Sequence, residues 1–250
     1  MNRIHLTGTS IDPTEVAYYE RLAHRWWDTG GPFWPLHKLN SFRVDYLRDR
    51  AVRALGHDPD AALPFAGLKV LDIGCGGGIL SESVARLGGT VLGVDVTEKN
   101  LAVARLHAQW NGLAIDYRLA DVEQLAAAGE VYDLVLNMEV VEHVEQRPDF
   151  LAQCGRLVRP GGVMVVATIN RTPAAGLMAI FGAEVLLRWL PRGTHHYRKL
   201  VRPDELTTEL GADFRCLDRT GVRINPFNRR FSFTRWMGVN YMLVMQRWDA

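Results

Sequence analysis

An apolar run that empties into a glycine loop limits what this chain can become more than any other feature. Residues 69–78 read Lys-Val-Leu-Asp-Ile-Gly-Cys-Gly-Gly-Gly. Val70, Leu71 and Ile73 make the short continuous apolar stretch of a strand buried on both faces. Gly74, Gly76, Gly77 and Gly78 then remove the Cβ where a ligand must come near the backbone. A helix is expected from about Ile79, and Thr90-Val91-Leu92-Gly93-Val94-Asp95 predicts a second strand ending on a carboxylate. A carboxylate there can accept both hydroxyls of a ribose.

Strand, glycine loop and helix serve nicotinamide-, flavin- and S-adenosylmethionine-binding proteins alike, so the device alone does not choose among them. Its details lean away from a dinucleotide. That fingerprint needs glycine at the first, third and sixth positions, and counting from Gly74 the sixth is Ile79. A pyrophosphate also favours a bare helix N-terminus, whereas Asp72 sits in the strand just before the loop. This acid suits a cationic ligand, such as one carrying an ammonium and a sulfonium. A glycine turn that merely packs helix on sheet is the bland alternative, and it leaves Asp95 without a reason.

With 250 residues, 48% of them hydrophobic, the chain has enough material for one α/β domain with additions. A formal net charge of +1 with interspersed signs offers no field for nucleic acid. Residues 1–14 are polar and lack an apolar signal core, which predicts a cytoplasmic protein. Cys75, Cys154 and Cys216 have no metal-type spacing and read as reduced thiols.

Two helices, residues 12–28 and about 37–55, form an N-terminal helical cap over residues 1–56. Strands then follow at 69–73, 90–95, 115–119, 132–137 and 162–168, with helices at 79–87, 97–111 and 148–157. Strands at 214–221 and 240–246 complete the set as an antiparallel edge within residues 206–250. The expectation is a doubly wound, mostly parallel, seven-stranded Rossmann-like α/β sheet with right-handed crossovers.

Further candidates lie beyond the carboxyl edge of that sheet. Asp121 follows the third strand, where its carboxylate and the Val122 backbone could meet an adenine, and Met138 ends the fourth, where a soft side chain would pack on adenine or a methylthio group. Each is otherwise an ordinary loop acid or core methionine. Glu139, Glu142 and His143 stand at i, i+3 and i+4, so in a helical turn all three would share one face. A solvated polar face, a divalent metal site and a base beside substrate all remain open for this trio. A phenol bound to Mg²⁺ or a similar cation would lose its proton more easily; His143 could instead take it as the catalytic general base.

Together these residues resemble the class I S-adenosylmethionine-dependent methyltransferases, and within them the ubiquinone biosynthesis O-methyltransferase family. The likeness includes Trp26-Trp27-Asp28, Pro35-Leu36-His37-Lys38-Leu39-Asn40, the glycine loop and Met138-Glu139-Val140-Val141-Glu142-His143-Val144. It continues through Thr168-Ile169-Asn170-Arg171-Thr172, Gly193-Thr194-His195, Asn225-Pro226 and Val239-Asn240-Tyr241-Met242. The resemblance implies a single methyltransferase domain over residues 1–250, with a donor-binding core at 67–169 and a lid insertion at 170–205. It implies S-adenosylmethionine as donor, held by Arg43, Gly74, Asp95 and Met138, with Arg43 pairing the methionine carboxylate; Gly76 and Asp121 join this expected donor site by their positions in the loop and after the third strand. It also implies Mg²⁺ or another divalent cation at Glu139, Glu142 and His143. The acceptors would be a polyprenylated catechol and, later, a demethylubiquinol, and association with other enzymes of that pathway would be compatible with this role. Residues 56–66, with Asp58-Pro59-Asp60, look longer than the usual connection and carry no assigned function.

Residues 174–190 are apolar but interrupted by Glu184 and Arg188, and they fall short of the roughly 20 residues a spanning helix needs. Arg192, His195, His196, Tyr197, Arg198, Lys199 and Arg202 follow, which suits a segment lying on an anionic interface. The expected location is therefore peripheral, on the inner face of the cell membrane; a lid packed on its own domain is the alternative. Three other functions compete: an oxidoreductase on the same sheet, a nucleic-acid methyltransferase and a non-catalytic binding protein. The missing third glycine weighs against the first, and Asn137-Met138-Glu139-Val140 in place of a proline-aromatic motif against the second.

Overall fold

The computed structural model of the protein describes residues 21, 23–31, 33–176, 197–225 and 230–248. Its strands are β1 (Lys69–Ile73), β2 (Thr90–Asp95), β3 (Asp116–Leu119), β4 (Tyr132–Met138), β5 (Val158–Ile169), β6 (Phe214–Asn225), β7 (Arg230–Thr234) and β8 (Asn240–Arg247). They form a sheet in the order β3-β2-β1-β4-β5-β8-β6-β7. The first five pair in parallel and the last three join antiparallel. Going out from β1 to β3 and then back to β4 on the other side of β1 creates a topological switch point. A crevice therefore opens at the carboxyl ends of β1 and β4.

The principal helices are α1 (Trp34–Tyr46), α2 (Ile79–Arg86), α3 (Glu98–Trp110), α4 (Val122–Ala127), α5 (Arg147–Leu157) and α6 (Pro203–Leu210). α1 continues as a π-helical stretch, Leu47–Val52, with Leu47, Ala51 and Val52 buried. In a strand, successive side chains face opposite ways, so the apolar run of β1 feeds two cores. Leu71 and Ile73 join one with Leu151 and Leu157 of α5, while Val70 joins the other with Leu80 and Val84 of α2 and Tyr46 and Leu47 of the cap. By the same alternation Asp72 and Met138 belong to the cap side of the sheet. That is why two residues in different strands reach one cleft.

Among the described residues the expected seven strands become eight. β6 runs 12 residues, pairing β8 through Thr220, and its remainder, Gly221 to Asn225, pairs with β7. Two helices also escape the sequence pattern. α4 begins at a capping box in which Asp121 Oδ1 accepts the Gln124 amide at 2.8 Å and the Gln124 side chain accepts the Asp121 amide at 3.2 Å. α6 is short and starts at Pro203. Of the first expected helix only residue 21 and residues 23–28 are described, and residues 177–196, including most of the expected lid, lie outside the described residues. Among the described residues no helix is long and apolar enough to cross a membrane.

Candidate active site

At the switch point lies a cleft of about 200 Å³ lined by Asp72, Gly74, Cys75 and Gly76 from the β1 end and Met138 and Glu139 from the β4 end; Arg43, Asn40 and Trp26 close it from the cap. The glycine loop is shaped by its own backbone demands. Gly74 and Gly76 have φ of +66° and +54°, and a Cβ on Gly74 would come within 2.5 Å of Val140 Cγ2. An L side chain there would therefore be strained and would strike the segment after β4.

Asp95 braces this loop. Its Oδ2 accepts the Gly76 amide at 3.0 Å, its Oδ1 accepts the Thr97 amide at 2.8 Å, and Asn100 Nδ2 donates to both oxygens at 3.3 and 3.4 Å. A carboxylate offers about four acceptor positions, so ribose hydroxyls would take the place of the two long Asn100 contacts. Asp72 is buried and accepts the Ser81 hydroxyl at 2.6 Å. Burial pushes its pKa up to about 6, against the lowering pull of Ser81 and the Arg43 charge. A cationic ligand in the cleft would favour its charged form.

Arg43, which is 7% exposed, reaches from α1 into the cleft and donates from Nη2 to Glu139 Oε1 at 2.8 Å. Its buried Nε has no protein partner. The guanidinium thus keeps a donor for a ligand carboxylate, which fits the methionine end of S-adenosylmethionine. Asp121 is exposed and serves as the α4 cap, a role the sequence reading did not assign to it. Its D-x-x-Q pattern carried that signal.

The stretch after β4 is not a helical turn, so the expected single face for Glu139, Glu142 and His143 does not form. Glu139 takes φ +59°, the one positive value among described non-glycine residues, and its amide donates to Ala167 O at 2.8 Å. The chain then turns back, with the His143 amide on Val140 O at 2.8 Å. Glu142 is 3% exposed and both of its oxygens lack a protein partner, whereas His143 is exposed. Burial, then the Glu139 charge, holds the Glu142 carboxyl well above the usual carboxylate range. Among the described residues no three His, Cys, Asp or Glu side chains converge as a metal site. The Glu142 oxygens beside Glu139 have acceptor capacity to spare, and His143 does not join them.

The unpartnered atoms have a pattern. Among the described residues, five of the eight buried side-chain polar atoms without a partner belong to Asn137, Glu142, Thr168 and Asn170, at or just past the carboxyl ends of β4 and β5. No signal in the strand pattern marked Asn137, Thr168 or Asn170 singly, although Thr168 and Asn170 lie in a motif of the resembled family.

The family described as a methyltransferase domain matches residues 71–166, from β1 into β5. The ubiquinone biosynthesis O-methyltransferase of Rhizobium etli is 52% identical over 240 residues, covering 96% of this chain and 97% of the relative. That of Rhizobium rhizogenes is 53% identical over 240 residues, with 96% and 97% covered. Among solved structures, magnesium protoporphyrin IX methyltransferase from Synechocystis PCC 6803 with bound SAH superposes with a TM-score of 0.64. It is 20% identical, covering 94% of this chain and 100% of that one, which is a likeness of fold.

Proposed function

The chain belongs to the ubiquinone biosynthesis O-methyltransferase family, and from that premise we propose that it moves the methyl group of S-adenosylmethionine to a phenolic oxygen of a polyprenylated catechol and of a demethylubiquinol. The observation that carries this reading is the cleft in which Arg43, Asp72, the glycine loop and Met138 meet, opening beside Glu139. At the donor end, Arg43 binds the methionine carboxylate, Asp72 favours the cationic end, and Asp95 accepts the ribose hydroxyls. Met138 packs against the adenine or the methylthio group, and Asp121 stands at the adenine edge.

In the transfer an acceptor oxygen attacks the methyl carbon, and the carbon–sulfur bond breaks with its electron pair returning to sulfur. The sulfonium becomes the neutral thioether of S-adenosylhomocysteine. A free phenol has a pKa near 10, so its proton must be taken as the oxygen approaches. His143, exposed in the turn after β4, is the base assigned to that proton. In the alternative route Glu139 and Glu142, with His143 turned in as a ligand instead of acting as the base, would hold Mg²⁺ or another divalent cation. Such an ion, when bound, lowers the acceptor's pKa and fixes which oxygen faces the methyl group. What supports the ion is the pair of orphaned Glu142 oxygens next to Glu139. Most of the rate gain falls to positioning in either route.

A polyprenyl acceptor resides in a bilayer, so the enzyme would work at the inner membrane surface. Residues 170–205 are the proposed contact, supported by their apolar and basic sequence. Flotation with anionic vesicles checks this, and binding unchanged when Leu186 and Trp189 become charged would overturn it.

The function is tested by methyl transfer from labelled S-adenosylmethionine to a short-chain demethylubiquinol kept reduced, with and without chelator and added Mg²⁺. Transfer lost to chelator and restored by Mg²⁺ is expected, together with loss of that response in Glu142→Ala. Transfer indifferent to chelator would leave the proton to His143 alone. Donor binding without transfer would mean a different acceptor.

A further inference from the structure

Gly77 has no backbone reason to be glycine. Unlike Gly74 and Gly76, it is not in the positive-φ region, so other residues could adopt its conformation. What it lacks room for is a Cβ, which would come within 2.8 Å of Cδ2 and Cε3 of Trp26; a Cβ on Gly76 would meet Cη2 of the same indole at 3.1 Å. The ring thus lies across both glycines. Phe33 stacks on it, with ring centroids 4.2 Å apart and planes 6° from parallel. The neighbouring Trp27 fastens the same helix to the loop: its Nε1 donates to Gly77 O at 3.1 Å, and its ring stacks on His107 at 3.5 Å. His37 Nε2 adds a contact to the Trp26 carbonyl at 2.9 Å.

Trp26 is also a wall of the cleft, which it shares with Asp72 and Arg43. That cleft, about 200 Å³, takes in only the methionine end of the donor, since Asp95 and Asp121, assigned to the ribose and the adenine, are not among its walls. Most of the other walls belong to the sheet, the loop and α2, all tied into the two cores, whereas Trp26 arrives on the cap segment and rests on contacts with the loop, Phe33 and His37, while Trp27 ties that segment to α3.

We propose that Trp26 is a donor-site residue: its indole is the roof of the S-adenosylmethionine pocket, seated on Gly77, and the segment carrying it lifts to admit the donor and to release the demethylated product. This rests on the donor site described above and adds to it a positioning residue and the reason for a fourth loop glycine. With the roof seated, the sulfonium is screened from water on the cap side. With the roof raised, the ligand leaves.

The test is the release rate of tritium-labelled S-adenosylhomocysteine chased by unlabelled ligand, which needs no tryptophan signal. Trp26→Ala should release it roughly tenfold faster. Trp26→Phe, which keeps an aromatic roof, should stay near the wild type. Gly77→Ala should speed release similarly, and adding it to Trp26→Ala should change little more, because residues acting through one contact are not additive. Release unchanged in Trp26→Ala overturns the proposal. So does an equal Gly77→Ala effect with or without the indole, which would mean that the glycine touches the ligand directly. Should Gly77→Ala fail to fold, the Trp26→Ala and Trp26→Phe pair still decides. Failure of the wild type to bind S-adenosylhomocysteine would remove the donor site itself, a result distinct from binding with an unaltered release rate.

Discussion

At the carboxyl end of β1 the acidic groups are already matched: Asp72 takes the Ser81 hydroxyl, and Asp95 takes the Gly76 and Thr97 amides. A few ångströms along the same sheet edge, beyond β4 and β5, Asn137, Glu142, Thr168 and Asn170 hold five buried polar atoms with no protein partner, and Glu139 sits in a left-handed backbone conformation. An unmet buried polar group costs about 1–3 kcal/mol, and a non-glycine residue in that conformation costs a similar order. Apart from its cap side, where Asn40 Oδ1 and Arg43 Nε lack partners and the proposed Trp26 roof lifts, the proposed donor end therefore keeps its shape without help. The acceptor end stores unmet interactions that a bound acceptor or cation can satisfy, so it is the part expected to reorganise on binding. Arg43 joins the two, with one nitrogen on Glu139 and another unpartnered.

The comparison breaks first at Gly74, where both ends touch. Gly74→Ala adds a Cβ at φ +66° and drives it toward Val140, which leads into the acceptor segment. Affinity for S-adenosylhomocysteine should fall by about a thousandfold, some 4 kcal/mol, in titration calorimetry. Retained affinity would mean that the loop yields, and that the donor end is not the rigid partner.

Asp72 tests the matched end through pH. Its folded pKa of about 6 lies above the unfolded value of 3.8, so its stabilising contribution is complete below 3.8 and is lost as pH rises through 6. Asp72→Asn removes that loss. The ligand-free variant should be more stable than the wild type at pH 8, by up to about 3 kcal/mol, with the gap closing toward pH 4. Thermal unfolding across that range reads it directly, and S-adenosylmethionine should stabilise the wild type more than the variant. A gap that does not vary with pH would deny Asp72 a buried, titrating place beside the donor.

Arg43→Ala should weaken S-adenosylhomocysteine binding about tenfold, and Arg43→Lys should restore little, since a point charge cannot serve Glu139 and a ligand carboxylate at once. If only the acceptor's KM moves, Arg43 belongs to the acceptor end alone.

How much of this was legible beforehand follows the same division. The donor end is local: strand, glycines and acid are contiguous or one crossover apart, and their chemistry is stated by residue type. Val70, Leu71 and Ile73 alone predict a buried strand, and it is there. The acceptor end depends on a backbone conformation that glutamate rarely adopts. An i, i+3, i+4 spacing reads as a helical face, and Glu139 at φ +59° turns the chain instead. Trp26 on Gly77 is a contact across 51 positions, which no local pattern encodes. The extra β7 likewise depends on β6 running past β8, a matter of strand length set by pairing.

Asp121 carries the smallest effect and the finest distinction, because one carboxylate has two claims on it. As a cap it serves the Gln124 amide, and as a site residue it would serve the adenine. Asp121→Ala should cost about 1 kcal/mol of stability, the usual worth of such a cap. Asp121→Asn keeps an oxygen for the Gln124 amide, so its stability should stay near the wild type. Any remaining loss of S-adenosylhomocysteine affinity in that variant then belongs to the ligand. If Asp121→Asn binds as the wild type does while Asp121→Ala is destabilised, the acid supports the donor end only by fixing where α4 begins, and the adenine edge must be read by the Val122 backbone instead.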